Sequence, residues 1–131
     1  MIKNVLSEIK DAMSALGLEY GFELSSGNSN GDIIYPYFVG GYTEPESMTE
    51  DGYSECTVML TGFSRGSALE LETARAAIEE YFNKLSGRIC IQADGSVIII
   101  FYGNAFNIPQ NEADLHSIQI NLIVKEWSVN V

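Results

Sequence analysis

The sequence predicts an α+β fold, in which two helices pack on one face of a mainly antiparallel sheet in the order α-β-β-α-β-β-β. Two stretches with helical periodicity and several runs of alternating apolar and polar residues support this prediction. The chain has 131 residues and is 46% hydrophobic, so it can bury one core but hardly two. We therefore expect residues 1–131 to form a single domain.

Two helices are expected. Apolar residues recur at helical spacing over residues 2–16, and Gly17 supplies a stop signal. The second helix is predicted to begin with a capping box, in which Ser67 and Glu70 satisfy each other's backbone donors, and to end near residues 86–87. Its predicted apolar face consists of Leu71, Ala74, Ile78, Phe82 and Leu85.

The first two predicted strands form a long antiparallel hairpin. Residues 33–42 (IIYPYFVGGY) are aromatic and β-branched, and Pro36 favours an edge or irregular strand because it lacks a backbone donor. Residues 54–63 alternate apolar and polar side chains, which is typical of a half-buried strand. The connection at 43–52 is acidic, so we expect it to form a solvated hairpin tip.

The remaining strands lie in the C-terminal third. A two-residue turn at Asp94-Gly95 is predicted to join two strands. Because the run Val97–Phe101 is apolar on both faces, it is expected near the centre of the sheet. The last strand alternates Ile118, Ile120, Leu122 and Val124 against polar residues. Trp127 and Val129 fall on its polar face, which indicates that something covers this strand.

Composition excludes several classes of function. Lys and Arg total 7 against 18 Asp and Glu, for a net charge of −11, and no basic run is present to bind nucleic acid directly. Cys56 and Cys90 lie far apart without a second pair, so we expect reduced, core-facing thiols rather than a zinc site or disulfide. A charged N-terminus and the lack of a long apolar run predict no membrane association, and a cytoplasmic or particle-borne protein.

Residues 62–66 (GFSRG) match the G-x-S-x-G pattern of many hydrolases, which makes Ser64 a candidate nucleophile. Asp94 or Asp114 and then His116 follow in the order acid, histidine. Hairpin-linked strands are, however, unlike the large parallel sheet that this motif needs, and no upstream oxyanion-hole segment is present. The sequence therefore favours a turn whose glycines shape the backbone, and no catalytic residue is predicted.

No metal or cofactor is predicted either. Alternating Asn28, Asn30 and Asp32 suggest a calcium loop, but its required glycine and glutamate positions are Ile33 and Val39. An acidic cluster consists of Glu44, Glu46, Glu50, Asp51 and Glu55. It is typical of a solvated hairpin tip, with weak binding of divalent cations as the alternative.

The order of elements, IIYPYFVGGY, the acidic tip and TVMLTGFSRGSALELETARAAIEEYF together resemble the tail-terminator and tail-completion (minor tail) proteins of long-tailed bacteriophages and prophages. The resemblance implies a structural protein that forms a ring, commonly of six subunits, at the head-proximal end of the tail tube. Its partners would be copies of itself, tail-tube proteins and head-completion proteins, in the virion tail or the host bacterial cytoplasm. No residue role is carried over, because the family's ring contacts follow no fixed motif.

Aromatic and outward-facing residues on the predicted strands are candidates for subunit contacts. They are Tyr35, Tyr37, Tyr42, Trp127 and Val129. Two other hypotheses remain open. One is a small, non-enzymatic bacterial α+β adaptor or binding module that dimerises through an edge strand. The other is a minimal serine hydrolase built on Ser64 and His116.

Overall fold

The structure is a computed structural model, and it describes residues 2–22, 36–43, 52–66, 68–109 and 114–127. The elements in chain order are helix α1 (Ile2–Ala15), strands β1 (Glu19–Phe22), β2 (Tyr37–Tyr42) and β3 (Ser54–Arg65), helix α2 (Leu69–Phe82), and strands β4 (Arg88–Ile91), β5 (Val97–Ile108) and β6 (Leu115–Trp127). The predicted α+β class is confirmed. The predicted order lacked β1, which at four residues is too short to give a clear alternation.

The six strands form one mixed sheet in the order β1-β2-β3-β6-β5-β4. β1 and β2 pair in parallel, and the other neighbouring strands pair antiparallel. Strand β2 therefore lies inside the sheet, so of the two predicted alternatives, an edge strand or an irregular strand, the edge strand is wrong. Pro36 precedes the first residue of β2, so its missing N–H removes no ladder bond from that strand.

The centre of the sheet is the pair β3 and β6, whose register runs without interruption from Ser54 opposite Glu126 to Arg65 opposite Leu115. The run Val97–Phe101, which was expected near the centre, lies in β5, between the central strand β6 and the edge strand β4. The two faces of this run are apolar for different reasons. One face is in the core, and the other belongs to the surface described below.

The core lies between the two helices and one face of the sheet, here called the inner face. Residues that pair directly across strands point to the same face, and even-numbered positions of β3 and β6 carry the buried side chains. The core cluster comprises Val5, Ile9, Ala12 and Met13 from α1, Leu71, Ala74, Ile78 and Phe82 from α2, and Phe38, Cys56, Val58, Leu60, Ile98, Ile100, Tyr102, Ile118, Ile120, Leu122 and Val124 from the sheet. Both helices thus cover the inner face.

Helix α2 is shorter than predicted at its C-terminal end. It ends at Phe82, and Leu85 is 92% exposed rather than part of the apolar face. Asn83 adopts a positive φ of 47°, and its Oδ1 accepts hydrogen bonds from the backbone N–H groups of Leu85 and Ser86. An Asn side chain that satisfies the following turn in this way ends a helix without the glycine that sequence reasoning looked for.

The start of α2 also differs from the capping-box prediction. Ala68 occupies the N-cap position and makes no side-chain cap, while Ser67 lies outside the described residues. The Glu70 carboxylate accepts a hydrogen bond from the hydroxyl of Ser64 at 3.2 Å. Glu70 therefore ties the helix to the preceding strand.

The turn between β4 and β5 has three residues, not two. The N–H of Gln92 donates to the carbonyl of Ser96 at 2.8 Å, which leaves residues 93–95 in the loop. Gly95 has a φ of +92°, and Asp94 Oδ1 accepts the Ser96 N–H at 2.9 Å. A three-residue loop with glycine in the left-handed region is the next commonest hairpin after the two-residue type.

Candidate interaction surface

The second face of the sheet, here called the outer face, is rich in apolar side chains. Cross-strand register aligns Ile89 with Ile99, Ile91 with Val97, and Phe101 with Ile123 on this face. We call these six residues the outer patch. Both described helices lie on the opposite face, so within the described residues no helix covers the outer patch.

Several outer-patch side chains are strongly exposed. Ile91 is 75% exposed, Ile89 62% and Ile123 37%, and the other three members are partly buried. Scattered exposed apolar residues are ordinary, but a contiguous group on adjacent strands is a candidate interaction surface.

Charge is sparse around the outer patch. On this face of β4, β5 and β6, Lys125 is the only charged side chain among the described residues. Its ammonium lies 4.9 Å from the ring centroid of Tyr53 and 5.7 Å from that of Phe101. The chain carries 18 carboxylates, and none of those in the described residues lies on this face of β4, β5 or β6; Glu55 of the neighbouring strand β3 is opposite Lys125.

An aromatic pair closes one end of the outer face. The rings of Tyr53 and Trp127 have centroids 5.2 Å apart, and Trp127 pairs across the strands with Val97. Tyr53 therefore contacts Trp127, while the prediction that something covers the C-terminal strand stays a prediction.

The other end of the outer face is polar. The amide of Gln119 donates to Asn121 Oδ1 at 2.9 Å, and the Asn121 amide donates to Asn104 Oδ1 at 2.8 Å. The outer face therefore divides into an apolar half near β4 and an amide-lined half near the end of β5.

Strand β5 extends well beyond its partner β4. β4 pairs only with Val97–Ile100, whereas β5 continues to Ile108. On the side opposite β6, no strand of the described chain pairs with Gly103–Ile108, a segment here called the free edge. Phe106, in its middle, is 50% exposed on the outer face.

The predicted contact residues are scattered. Tyr35 and Val129 lie outside the described residues. Tyr37 is only 7% exposed and offers little contact area, while Tyr42 at the end of β2 is 39% exposed. Trp127 borders the outer patch. The outer patch itself was missed, although the both-sided apolar run Val97–Phe101 was a signal for it.

The strand-to-helix turn GFSRG is held by structural contacts. Gly62 lies on the inner face, where an added Cβ would approach the Phe38 ring to 2.5 Å, so only glycine fits without a shift. Gly66 has a φ of +86°, which favours glycine. The Gly66 N–H donates to the carbonyl of Asp114 at 2.8 Å, and Arg65 Nη1 forms an ion pair with Asp114 Oδ1 at 3.1 Å.

The structure brings Ser64 and His116 together, since they are directly paired residues on the inner face of β3 and β6. The side chain of Ser64 is nevertheless fully buried, and its hydroxyl donates to the Glu70 carboxylate. A serine nucleophile needs access to substrate and a histidine that takes its proton. In the described conformation this hydroxyl is inaccessible to solvent.

The two candidate acids are placed differently. Asp114 pairs with Arg65, close to His116 in the chain. Asp94 lies in the β4–β5 turn, at the end of the sheet where Val97 meets Trp127, far from Ser64. Hydrogen bonds from the backbone and side chain of Ser96 lower the pKa of Asp94. Asp94 is therefore a turn residue.

No group of three or more His, Cys, Asp or Glu side chains that could hold a metal ion occurs in the described ranges. Four members of the acidic cluster, residues 44, 46, 50 and 51, lie outside them. The fifth, Glu55, is opposite Lys125 in the β3–β6 ladder.

Both cysteines are free thiols. Cys56 is buried in the core as predicted, and Cys90 is partly buried against it. Burial raises the pKa of the Cys56 thiol to about 11, with Glu126 and Glu55 adding to the effect. Burial, followed by the neighbouring Glu8, raises the pKa of the Cys90 thiol to about 11 as well. Neither thiol is activated as a nucleophile.

None of the described helices has the length and apolar character needed to cross a membrane. A scan against models of known protein families finds no match, and a search of curated proteins finds none either. The function of this protein is therefore inferred from its own residues and their geometry.

Proposed function

We propose that this protein is a structural subunit that associates with copies of itself into a ring, in the manner of the phage tail-terminator and tail-completion proteins that its sequence resembles. The observation that carries the proposal is the outer patch, an exposed apolar surface on a chain of net charge −11. A contiguous exposed apolar surface of this kind supports a contact with another protein.

Burial of the outer patch supplies the driving force for association. Transfer of a fully exposed isoleucine side chain from water contributes about 1.5–3 kcal/mol, and the patch contains two strongly exposed isoleucines, Ile89 and Ile91. Two copies of so acidic a chain repel each other, and the repulsion is weakest where no carboxylate is present. The outer patch is such a place.

The acidic remainder of the protein suits a passage for DNA. Carboxylates facing a central hole repel phosphates, so DNA passes without binding. In this role the ring ends the tail tube and offers one side to head-completion proteins, and its location is the virion tail or, before assembly, the host bacterial cytoplasm.

A second candidate function is that of a non-enzymatic bacterial adaptor that dimerises through an edge strand. The observation that favours it is the free edge of β5, which is available for pairing within the described chain. No catalytic function is proposed, because the buried Ser64 hydroxyl donates to Glu70.

The test is the native mass of the purified protein over a concentration series, with and without millimolar magnesium, followed by negative-stain imaging. Magnesium screens the repulsion between acidic copies, so we expect it to promote assembly. Rings with a central hole are the expected result. Dimers that never form rings would favour the adaptor, and a protein that stays monomeric under all these conditions would contradict both functions.

A further inference from the structure

The free edge, Gly103–Ile108, is the longest stretch of unpaired strand in the described sheet. β4 has four residues and β1 has four, whereas β5 has twelve and pairs with β4 only over Val97–Ile100. In an antiparallel sheet, alternate residues point their N–H and C=O groups away from the paired neighbour. The free edge therefore presents a row of backbone donors and acceptors.

Apart from one bulge, the free edge lacks the features that usually prevent edge pairing. Natural edge strands carry lysine or other charges, prolines or inward-pointing charges that discourage a second strand. Residues 95–111 contain no charged side chain, and the only proline among them, Pro109, follows the last residue of β5. The exception is a bulge at the first residue of the free edge, where Gly103 lies unpaired between Tyr102 and Asn104; residues 104–108 beyond it pair regularly with β6.

We propose that the free edge pairs with the same edge of a second copy of this chain, so that the two sheets join across a twofold axis. Antiparallel pairing of one edge with itself needs a single self-complementary surface. On a chain of net charge −11, a neutral strand is also where two copies approach with the least repulsion. Pairing of two copies through the edge of β1 would instead bring Glu19 into the contact.

The side chains of the free edge complement such pairing. Asn104, Phe106 and Ile108 share the outer face, since they pair with Asn121, Gln119 and Ser117 of β6. Antiparallel pairing within this segment places Phe106 opposite an Asn104, Phe106 or Ile108 of the second copy. The half-exposed ring of Phe106 is then covered.

This contact is distinct from the outer patch. The inference of edge pairing rests on the self-association that underlies both proposed functions. It holds whether or not the dimers go on to form rings. The two surfaces can therefore be tested separately.

The test is hydrogen–deuterium exchange of the wild-type protein at low and high concentration, together with its native mass. We expect the amides of residues 103–108 that point away from β6 to exchange at least about tenfold more slowly when the protein is dimeric, because pairing protects them. Exchange in this segment that is unchanged while the mass doubles would overturn the inference. A protein that is monomeric at every concentration would overturn it too.

A variant gives a second readout. Phe106→Lys places a charge at the free edge, and we expect it to raise the dimer dissociation constant at least about tenfold. Leu85→Lys is the matched control, because Leu85 is exposed in the turn between α2 and β4 and the charge change is the same. A dimer dissociation constant of Phe106→Lys equal to that of the wild type would contradict the proposal.

The outcomes also separate the inference from the ring proposal. Rings without protection of residues 103–108 would support the ring and overturn edge pairing. Protection of that segment in a protein that forms only dimers would support edge pairing and count against the ring.

Discussion

The two faces of the sheet at β5 and the adjoining part of β6 both carry apolar side chains, but the two faces have different surroundings. On the inner face, Leu122 is fully buried beneath the helices, whereas its chain neighbour Ile123 is 37% exposed on the outer face. Both faces follow from the same alternation of side chains along a strand. The difference teaches that apolar character alone does not identify a core, since among the described elements the two helices cover the inner face alone.

The largest expected effect is on stability and compares two adjacent residues that lie on opposite faces of β6. Leu122→Ala leaves a cavity in the core and is expected to lower the free energy of unfolding by about 2–5 kcal/mol. Ile123→Ala removes a partly exposed side chain and is expected to cost less than about 1 kcal/mol in the monomer. Urea unfolding at low protein concentration measures both. Equal losses would mean that the outer face is packed like a core.

A second prediction concerns two glycines of the sheet. In Gly62→Ala the new Cβ meets the ring of Phe38 on the inner face, and we expect a loss of stability of about 1–3 kcal/mol. Gly41→Ala is the control, because there the nearest atom, Met59 Cε, is 3.8 Å away. Thermal unfolding of the two variants should separate them clearly. A tolerated Gly62→Ala would show that Phe38 moves aside easily.

The third prediction concerns the buried hydroxyl of Ser64. Ser64→Ala removes the hydrogen bond to Glu70 and is expected to cost about 1 kcal/mol of stability. Because the wild-type hydroxyl is buried, we expect a serine-directed fluorophosphonate to label neither protein. Labelling of the wild type that is lost in Ser64→Ala would revive the hydrolase hypothesis.

The smallest expected effect concerns the reactivity of the two cysteine thiols and their contribution to stability at high pH. With pKa values of about 11, both cysteines are protonated at pH 8, so a thiol reagent should react slowly until the protein unfolds. Thiols in the unfolded chain ionise at about pH 8.5. Between that pH and about 11 the unfolded state therefore binds fewer protons than the folded state. Stability should therefore fall as pH rises through this window. Rapid labelling of the folded protein at pH 8 would contradict the assigned burial.

Sequence patterns predicted the parts of the fold that depend on long periodic segments. Helix α1, the antiparallel pairing of β2 with β3, and the inward residues of β6 were predicted, because each spans several repeats of its period. Strand β1 was missed because four residues are too few for a pattern, and the early end of α2 was missed because Asn83 replaced the expected glycine.

The candidate surface was less predictable. The apolar run Val97–Phe101 indicated burial on both faces, and nothing in the sequence distinguishes a residue covered by a helix from one covered by another molecule. The position of β5 next to the edge strand comes from long-range pairing, which local patterns do not encode. Pairing of Ser64 with His116 was likewise invisible, because the two are distant in the chain.

The most direct test of the central claim, that the outer patch is a contact between copies, is sedimentation equilibrium of three proteins in magnesium. These are the wild type, Ile91→Lys in the outer patch and Leu85→Lys as the control with the same charge change. We predict that the wild type and Leu85→Lys form the same large species, while Ile91→Lys fails to assemble beyond a dimer. Assembly of Ile91→Lys to the wild-type mass would contradict the account.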